Sequence, residues 1–250
     1  MPIRIFDGPD KLAQAAAELF VGRAALAMKA GGRLDVVLSG GSTPRRLFEL
    51  LAEEPYCSRV DWEAVHFFWG DERTVPPDHP DSNFGAVNEA LFSKLDLAEE
   101  QIHRIRAELA DPDRAAAAYE AELRRHFGLS EGEVPRFDLV FLGMGADGHT
   151  ASLFPGTAAL EESERSAVAV WVEKLGTHRV TLTCPVFDNA ACIVFLVTGQ
   201  EKAETLRDVL EGAAEMPGYP VQLIRPRNGE VLWYIDKTAG RLLSRRRWDQ

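Results

Sequence analysis

Short apolar runs alternate with alanine-rich or amphipathic stretches almost from one end of the chain to the other. Ile3–Phe6, Leu34–Leu38, Val65–Trp69, Phe137–Leu142 and Cys192–Val197 predict strands, and Val231–Ile235 predicts a late strand ahead of a basic tail. Ala167–Val172 and Arg179–Thr183 predict two more. Unbroken apolar runs suit strands covered on both faces, so the pattern predicts an α/β fold with a mostly parallel sheet and helices on each side. Asp10–Ala30 is alanine-rich and stopped by Gly31-Gly32, which predicts a helix with a glycine end. Further helices are predicted from Pro44, over Asn83–Phe92, from an Asp111-Pro112 start to Phe127 with Gly128 as its stop, and over Gln200–Leu210. A polar, proline-rich loop follows Trp69, and at its end Asp81-Ser82-Asn83 reads as a helix cap with Asp81 as the capping residue. No repeat or long linker interrupts the pattern. One domain over residues 1–250 is expected, with a small subregion around 155–190.

Composition narrows the function classes. A chain of 250 residues buries enough surface to need no staples, and its 46% hydrophobic content is ordinary for a soluble globular protein. Cys57, Cys184 and Cys192 are odd in number and lack metal-ligand spacing, so a reduced, cytoplasmic protein is expected. Neither a secretory signal nor a run of about 18 apolar residues is visible, so no membrane partner is expected. The formal net charge of −11 disfavours nonspecific nucleic-acid binding. An anionic substrate would need local positive charge to overcome that background, which raises the interest of single Arg and Lys residues in loops.

Three loops at predicted strand ends carry candidate chemistry. In Leu38-Ser39-Gly40-Gly41-Ser42-Thr43-Pro44, glycines bare the backbone amides ahead of a helix start, an arrangement that suits a phosphate or forms an ordinary capped turn. It is neither a Walker loop nor GxGxxG. Trp69-Gly70-Asp71-Glu72-Arg73 offers two carboxylates and a guanidinium, as acid–base groups, substrate anchors or a salt-bridged loop. Gly143-Met144-Gly145-Ala146-Asp147-Gly148-His149 is nearly stripped of side chains and presents one anion and one imidazole, which together suit acid–base chemistry near neutral pH. Arg179 and Lys202 lie at other strand ends. His66, His103, His126 and His178 sit outside any glycine-rich loop and are less persuasive, and a solvated role is expected for His79.

Taken in order, these motifs resemble the 6-phosphogluconolactonases, and the likeness extends through Ser82-Asn83, Ala151-Ser152-Leu153-Phe154-Pro155, Arg179–Thr183 and Gly199-Gln200-Glu201-Lys202-Ala203. The resemblance implies a Rossmann-like α/β domain that hydrolyses 6-phospho-D-glucono-1,5-lactone to 6-phospho-D-gluconate in the pentose phosphate pathway, with neither metal nor organic cofactor. The related glucosamine-6-phosphate isomerases/deaminases share the fold and the Asp-Gly-His loop but typically carry a glutamate five residues after the histidine, where this chain has Phe154. A sugar isomerase would thus lack an acid–base partner. A non-catalytic sugar-phosphate sensor is the third reading, and it predicts an added DNA-binding helix pair and a basic surface.

On the lactonase reading His149 is the general base and Asp147 orients the ring or shapes the loop. Gly40, Gly41, Ser42, Thr43, Arg73 and Lys202 hold the phosphate. Arg179 contacts the sugar or the charge developing at the carbonyl. The partner is a small sugar-phosphate lactone, and a monomer is expected.

Overall fold

The computed structural model describes residues 2–212 and 218–244, so the basic tail beyond Ser244 lies outside the described residues. In chain order the elements are β1 (Ile3–Phe6), α1 (Pro9–Lys29), β2 (Leu34–Leu38), α2 (Ser42–Leu51), β3 (Val65–Trp69), β4 (Asp71–Arg73) and α3 (Asn83–Ala90). They continue with β5 (Ile102–His103), α4 (Pro112–Phe127), β6 (Leu139–Leu142), β7 (Ala167–Val172) and β8 (Thr177–Leu182). The chain then forms α5 (Cys184–Asp188), β9 (Cys192–Val197), α6 (Ala203–Glu211) and β10 (Glu230–Asp236).

Seven strands form one parallel sheet in the order β1-β10-β9-β6-β2-β3-β5. Every residue of β2, β6 and β9 is buried, as two-sided cover requires, and Asp35 of β2 is the one charged residue among them. Alternate residues of β3 show both layers. Phe68 packs on Phe127 of α4, while Phe67 stacks on Trp62, which in turn meets Phe20 of α1. The fold is the expected α/β arrangement with helices on both faces. From β2 the chain moves outward to β3 and β5, and from β6 it moves the other way to β9 and β10. Adjacent parallel strands whose connections leave in opposite directions open a crevice at their carboxyl ends, where open α/β sheets bind ligands.

Helix signals in the sequence act as expected in most places. α1 buries Leu12, Ala13, Ala16, Ala17, Phe20, Val21 and Ala24, the one-sided spacing of a helix on a sheet. Asp111 caps α4 by accepting from the N–H groups of Asp113 and Arg114, and the helix ends at Gly128. The cap of α3 departs from expectation. Because α3 begins at Asn83, the capping position is Ser82, whose hydroxyl accepts from Gly85 N–H, and Asp81 instead offers its carbonyl to Arg73. No helix among the described residues is long and apolar enough to cross a membrane.

Two expectations about strands need correction. Asp71–Arg73, read as loop, is a strand, and the 167–172 and 177–182 strands do not join the parallel sheet. Together these three segments form a separate antiparallel sheet in the order β4-β8-β7. The branch point is Gly70. Its N–H donates to Leu38 O at 2.9 Å in the parallel sheet, and its carbonyl accepts from Leu182 N at 2.8 Å on β8. The two-residue β5 and the short α5 carry too little periodicity to be seen in advance.

Candidate active site

A cavity of about 270 Å³ opens at the carboxyl ends of β2, β3, β6 and β9. Gly40, Gly41, Ser42, Thr43, Arg73, His149 and Lys202 all line it, as do Ser39, Asp71 and Asn83. Asp147 and Arg179 do not reach the lining. The first stands behind His149, and the second stands opposite Arg73 on the neighbouring strand.

One end of the cavity is formed by the turn from β2 into α2. Gly41, at φ +108°, turns the chain from β2 into α2, whose N-terminus has no side-chain cap and no acidic residue in its first turn. Its leading N–H groups and the positive end of the helix dipole therefore face the cavity wall. Thr43 Oγ1 lies 2.6 Å from Thr198 Oγ1, which fixes the rotamer beside the turn. Ser39 Oγ is buried with no hydrogen-bond partner among the described residues, an orphaned hydroxyl at the same wall. Gly40 must be glycine, since a Cβ there would stand 1.8 Å from Asn83 Oδ1.

The cations are held ready. Lys202 has no ion-pair partner among the described residues, and burial pushes its ammonium below the usual lysine range. Arg73 donates to Asp81 O at 2.6 Å, which aims its guanidinium. Burial, and then the charge of Arg73, lower the pKa of Arg179 from its ordinary value. Like charges set face to face in a part-buried place favour an anion between or beside them.

The other end holds the imidazole. His149 Nδ1 makes a short hydrogen bond with Asp147 Oδ1, whose carboxylate also accepts from His149 N at 3.3 Å. An ionised carboxylate only accepts, so the proton sits on Nδ1 and Nε2 keeps its lone pair. Lys174, on the turn between β7 and β8, pairs with Asp147 Oδ2. Burial opposes ionisation of Asp147, yet Lys174 and His149 hold its carboxyl down to about 2. Gly145 lets the ring approach, because a Cβ there would lie 2.1 Å from His149 Nδ1. Phe154 stacks on the imidazole with ring centroids 4.1 Å apart, and Lys174 Nζ lies 4.6 Å from the Phe154 centroid.

The carboxylate pair after β3 divides in role. Glu72 accepts from the N–H groups of Arg73, Asn83 and Phe84, each at 2.8 Å, and so anchors the start of α3. It is not available for proton transfer in the cavity. Asp71 accepts from Ser152 Oγ at 2.6 Å and its carbonyl from Asn83 Nδ2 at 2.8 Å, binding the glycine loop to the second sheet. Asn83 and Ser152 were visible within their motifs, though without assigned roles. Lys174 carried no signal, since it meets Asp147 across 27 residues of chain.

Residues 7–233 match the family model described as glucosamine-6-phosphate isomerases/6-phosphogluconolactonase. The chain is 41% identical over 218 residues to a 6-phosphogluconolactonase of a Nostoc species, covering 87% of this chain and 88% of that one. It is 38% identical over 250 residues to the 6-phosphogluconolactonase of Rattus norvegicus, covering 97% and 93%. The solved 6-phosphogluconolactonase from Trypanosoma cruzi superposes with a TM-score of 0.87 at 29% identity, covering 97% of each chain. A glycine-bared anion turn, an Asp-paired histidine and a family match over nearly the whole length agree, and the chain belongs to the glucosamine-6-phosphate isomerase/6-phosphogluconolactonase family.

Proposed function

We propose that the protein hydrolyses 6-phospho-D-glucono-1,5-lactone to 6-phospho-D-gluconate, with His149 as general base. Water loses a proton to Nε2 of His149 as its oxygen attacks the lactone carbonyl carbon. The tetrahedral adduct collapses by breaking the bond from that carbon to the ring oxygen. The imidazolium returns its proton to the departing oxygen, which becomes a hydroxyl, and the new carboxylic acid ionises. Asp147 holds the ring in the required tautomer and stabilises the imidazolium between the two transfers.

The Gly40–Thr43 turn, Arg73 and Lys202 hold the phosphate, and Arg179 adds positive charge from behind the lining, on the strand opposite Arg73. Fixing that end aligns the carbonyl at the other, so phosphate binding lowers the barrier as well as KM. The observation that carries the reading is the His149–Asp147 pair with Phe154 stacked on it. An aromatic ring stands where the isomerases of the family typically place a second acid–base group, and hydrolysis of an activated ester needs only one. The test is to generate the lactone in situ with a dehydrogenase and follow its disappearance. Acceleration above spontaneous opening is expected, and its absence with correctly folded protein would overturn the proposal.

A further inference from the structure

Three histidines that the cavity does not use come together elsewhere. His66 on β3, His103 on β5 and His126 in the last turn of α4 meet on the sheet face that α4 covers. Strand register explains the meeting. Asp35 stands opposite His66, and Phe68 stands opposite His103, so these four side chains share one face.

The rings are spaced as the ligands of one ion. Their centroids are 4.5 Å apart for His103–His126, 4.8 Å for His66–His126 and 5.3 Å for His66–His103. Three imidazoles on a tetrahedral ion with metal–nitrogen bonds of about 2.0–2.1 Å have centroids roughly 5 Å apart. His66 Nδ1 and His103 Nε2 are 3.1 Å apart. Co-ligands of such an ion stand roughly 3.3 Å apart. One ligand atom from each residue lies within 4.8 Å of the other two. Closing the set therefore needs a shift of at most about 1.5 Å, within reach of ring rotation.

Two of the three rings have the carboxylate partner that metal-ligating histidines usually carry. His103 Nδ1 donates to Glu122 Oε1 and His126 Nε2 donates to Asp35 Oδ1, each at 2.7 Å. Each carboxylate takes a ring proton and leaves the other nitrogen, His103 Nε2 or His126 Nδ1, with its lone pair. Arg33 and Arg125 pair with Asp35 and Glu122, while Asp138, which accepts from Asp35 N–H, adds a further negative charge. A cavity of about 510 Å³ lined by Ile102, His103, Tyr119 and Glu122 reaches one of the three rings, that of His103.

We propose that His66, His103 and His126 form a binding site for one divalent transition-metal ion, zinc in preference, separate from the His149 cavity and with water in the fourth position. Three imidazole nitrogens and a water suit zinc over calcium or magnesium. The ion clips the two-residue edge strand β5 to β3 and to the end of α4, a structural role distant from the reaction.

The full chain, stripped with EDTA and dialysed, is titrated with zinc alone and followed by calorimetry, metal analysis and thermal unfolding. One ion per chain is expected, with a higher Tm, unchanged lactone turnover, and the same stoichiometry in His149→Asn. His66→Asn and His126→Asn should each raise the zinc dissociation constant at least tenfold. Cobalt added to the parent chain should give the intense visible bands of tetrahedral nitrogen coordination, which needs no variant to fold. Absence of stoichiometric zinc binding, a weak octahedral cobalt spectrum, or binding abolished by His149→Asn alone would each overturn the proposal and leave a hydrogen-bonded imidazole stack.

Discussion

Arg73 and Arg179 stand directly opposite each other across the antiparallel β4–β8 pair. Two cations at that position destabilise a ladder unless an anion offsets them. On the proposed mechanism the substrate phosphate, held by Arg73 in the cavity lining, supplies that anion.

Replacing Arg73 with alanine should weaken binding of phosphorylated substrate. A charge-assisted contact contributes about 1.5–3 kcal/mol, a factor of roughly 10–150 in affinity. The loss should appear in KM and also in kcat with the phosphorylated substrate, and it should spare the unphosphorylated lactone. Steady-state kinetics with both substrates decide the matter, and equal losses would rule out the phosphate role.

His149→Asn keeps a polar side chain of similar reach but cannot take a proton near neutral pH. Turnover should fall by about 10²–10⁴-fold. Product affinity, measured by calorimetry, should change little because the phosphate end is intact. If His149 were instead a phosphate ligand, KM and product affinity would suffer and kcat would be spared.

Gly145→Ala tests whether the bare loop sets the ring. The added Cβ would lie 2.1 Å from His149 Nδ1 and 2.7 Å from Asp147 Oδ1, so the pair must separate. Turnover should drop by at least about 10²-fold, with the circular dichroism spectrum retained. Normal turnover would show that the ring is positioned by other contacts.

Asp147 also links pH to stability. Its carboxyl sits at about 2 in the folded chain against an ordinary 3.8. The folded state therefore binds this proton more weakly than the unfolded chain. The ionised side chain contributes its stability above pH 3.8, and that contribution is lost as pH falls from 3.8 towards about 2. Asp147→Asn should remove this part of the acid sensitivity. Urea unfolding of parent and variant across that window should show their difference shrinking with acid, whereas a constant difference would contradict the linkage.

The legible parts of the molecule are those governed by local rules. β2, β3 and β9 match their predicted runs residue for residue, because strands covered on both faces are mostly hydrophobic, with Asp35 and His66 as the exceptions. The anion turn and the Asp147–His149 loop were legible because glycines at a strand end leave few uses other than close approach. β4 was not, since Asp-Glu-Arg reads as loop until β8 is seen to pair with it. Lys174 and the three clustered histidines were hidden for the same reason. Their partners lie far off in sequence, and only strand register and the seating of α4 bring them near.

The β7–β8 hairpin touches both ends of the reaction. Its turn supplies Lys174 to Asp147, and its return strand sets Arg179 against Arg73. Descent with modification would therefore find it hard to retune one end alone. On the proposed mechanism, a lengthened or shifted hairpin alters the support of His149 and the charge beside Arg73 in a single event, so the two are inherited as one unit. Divergence in substrate preference within such a lineage should be sought first in the hairpin's length and register, and only then in the residues that line the cavity.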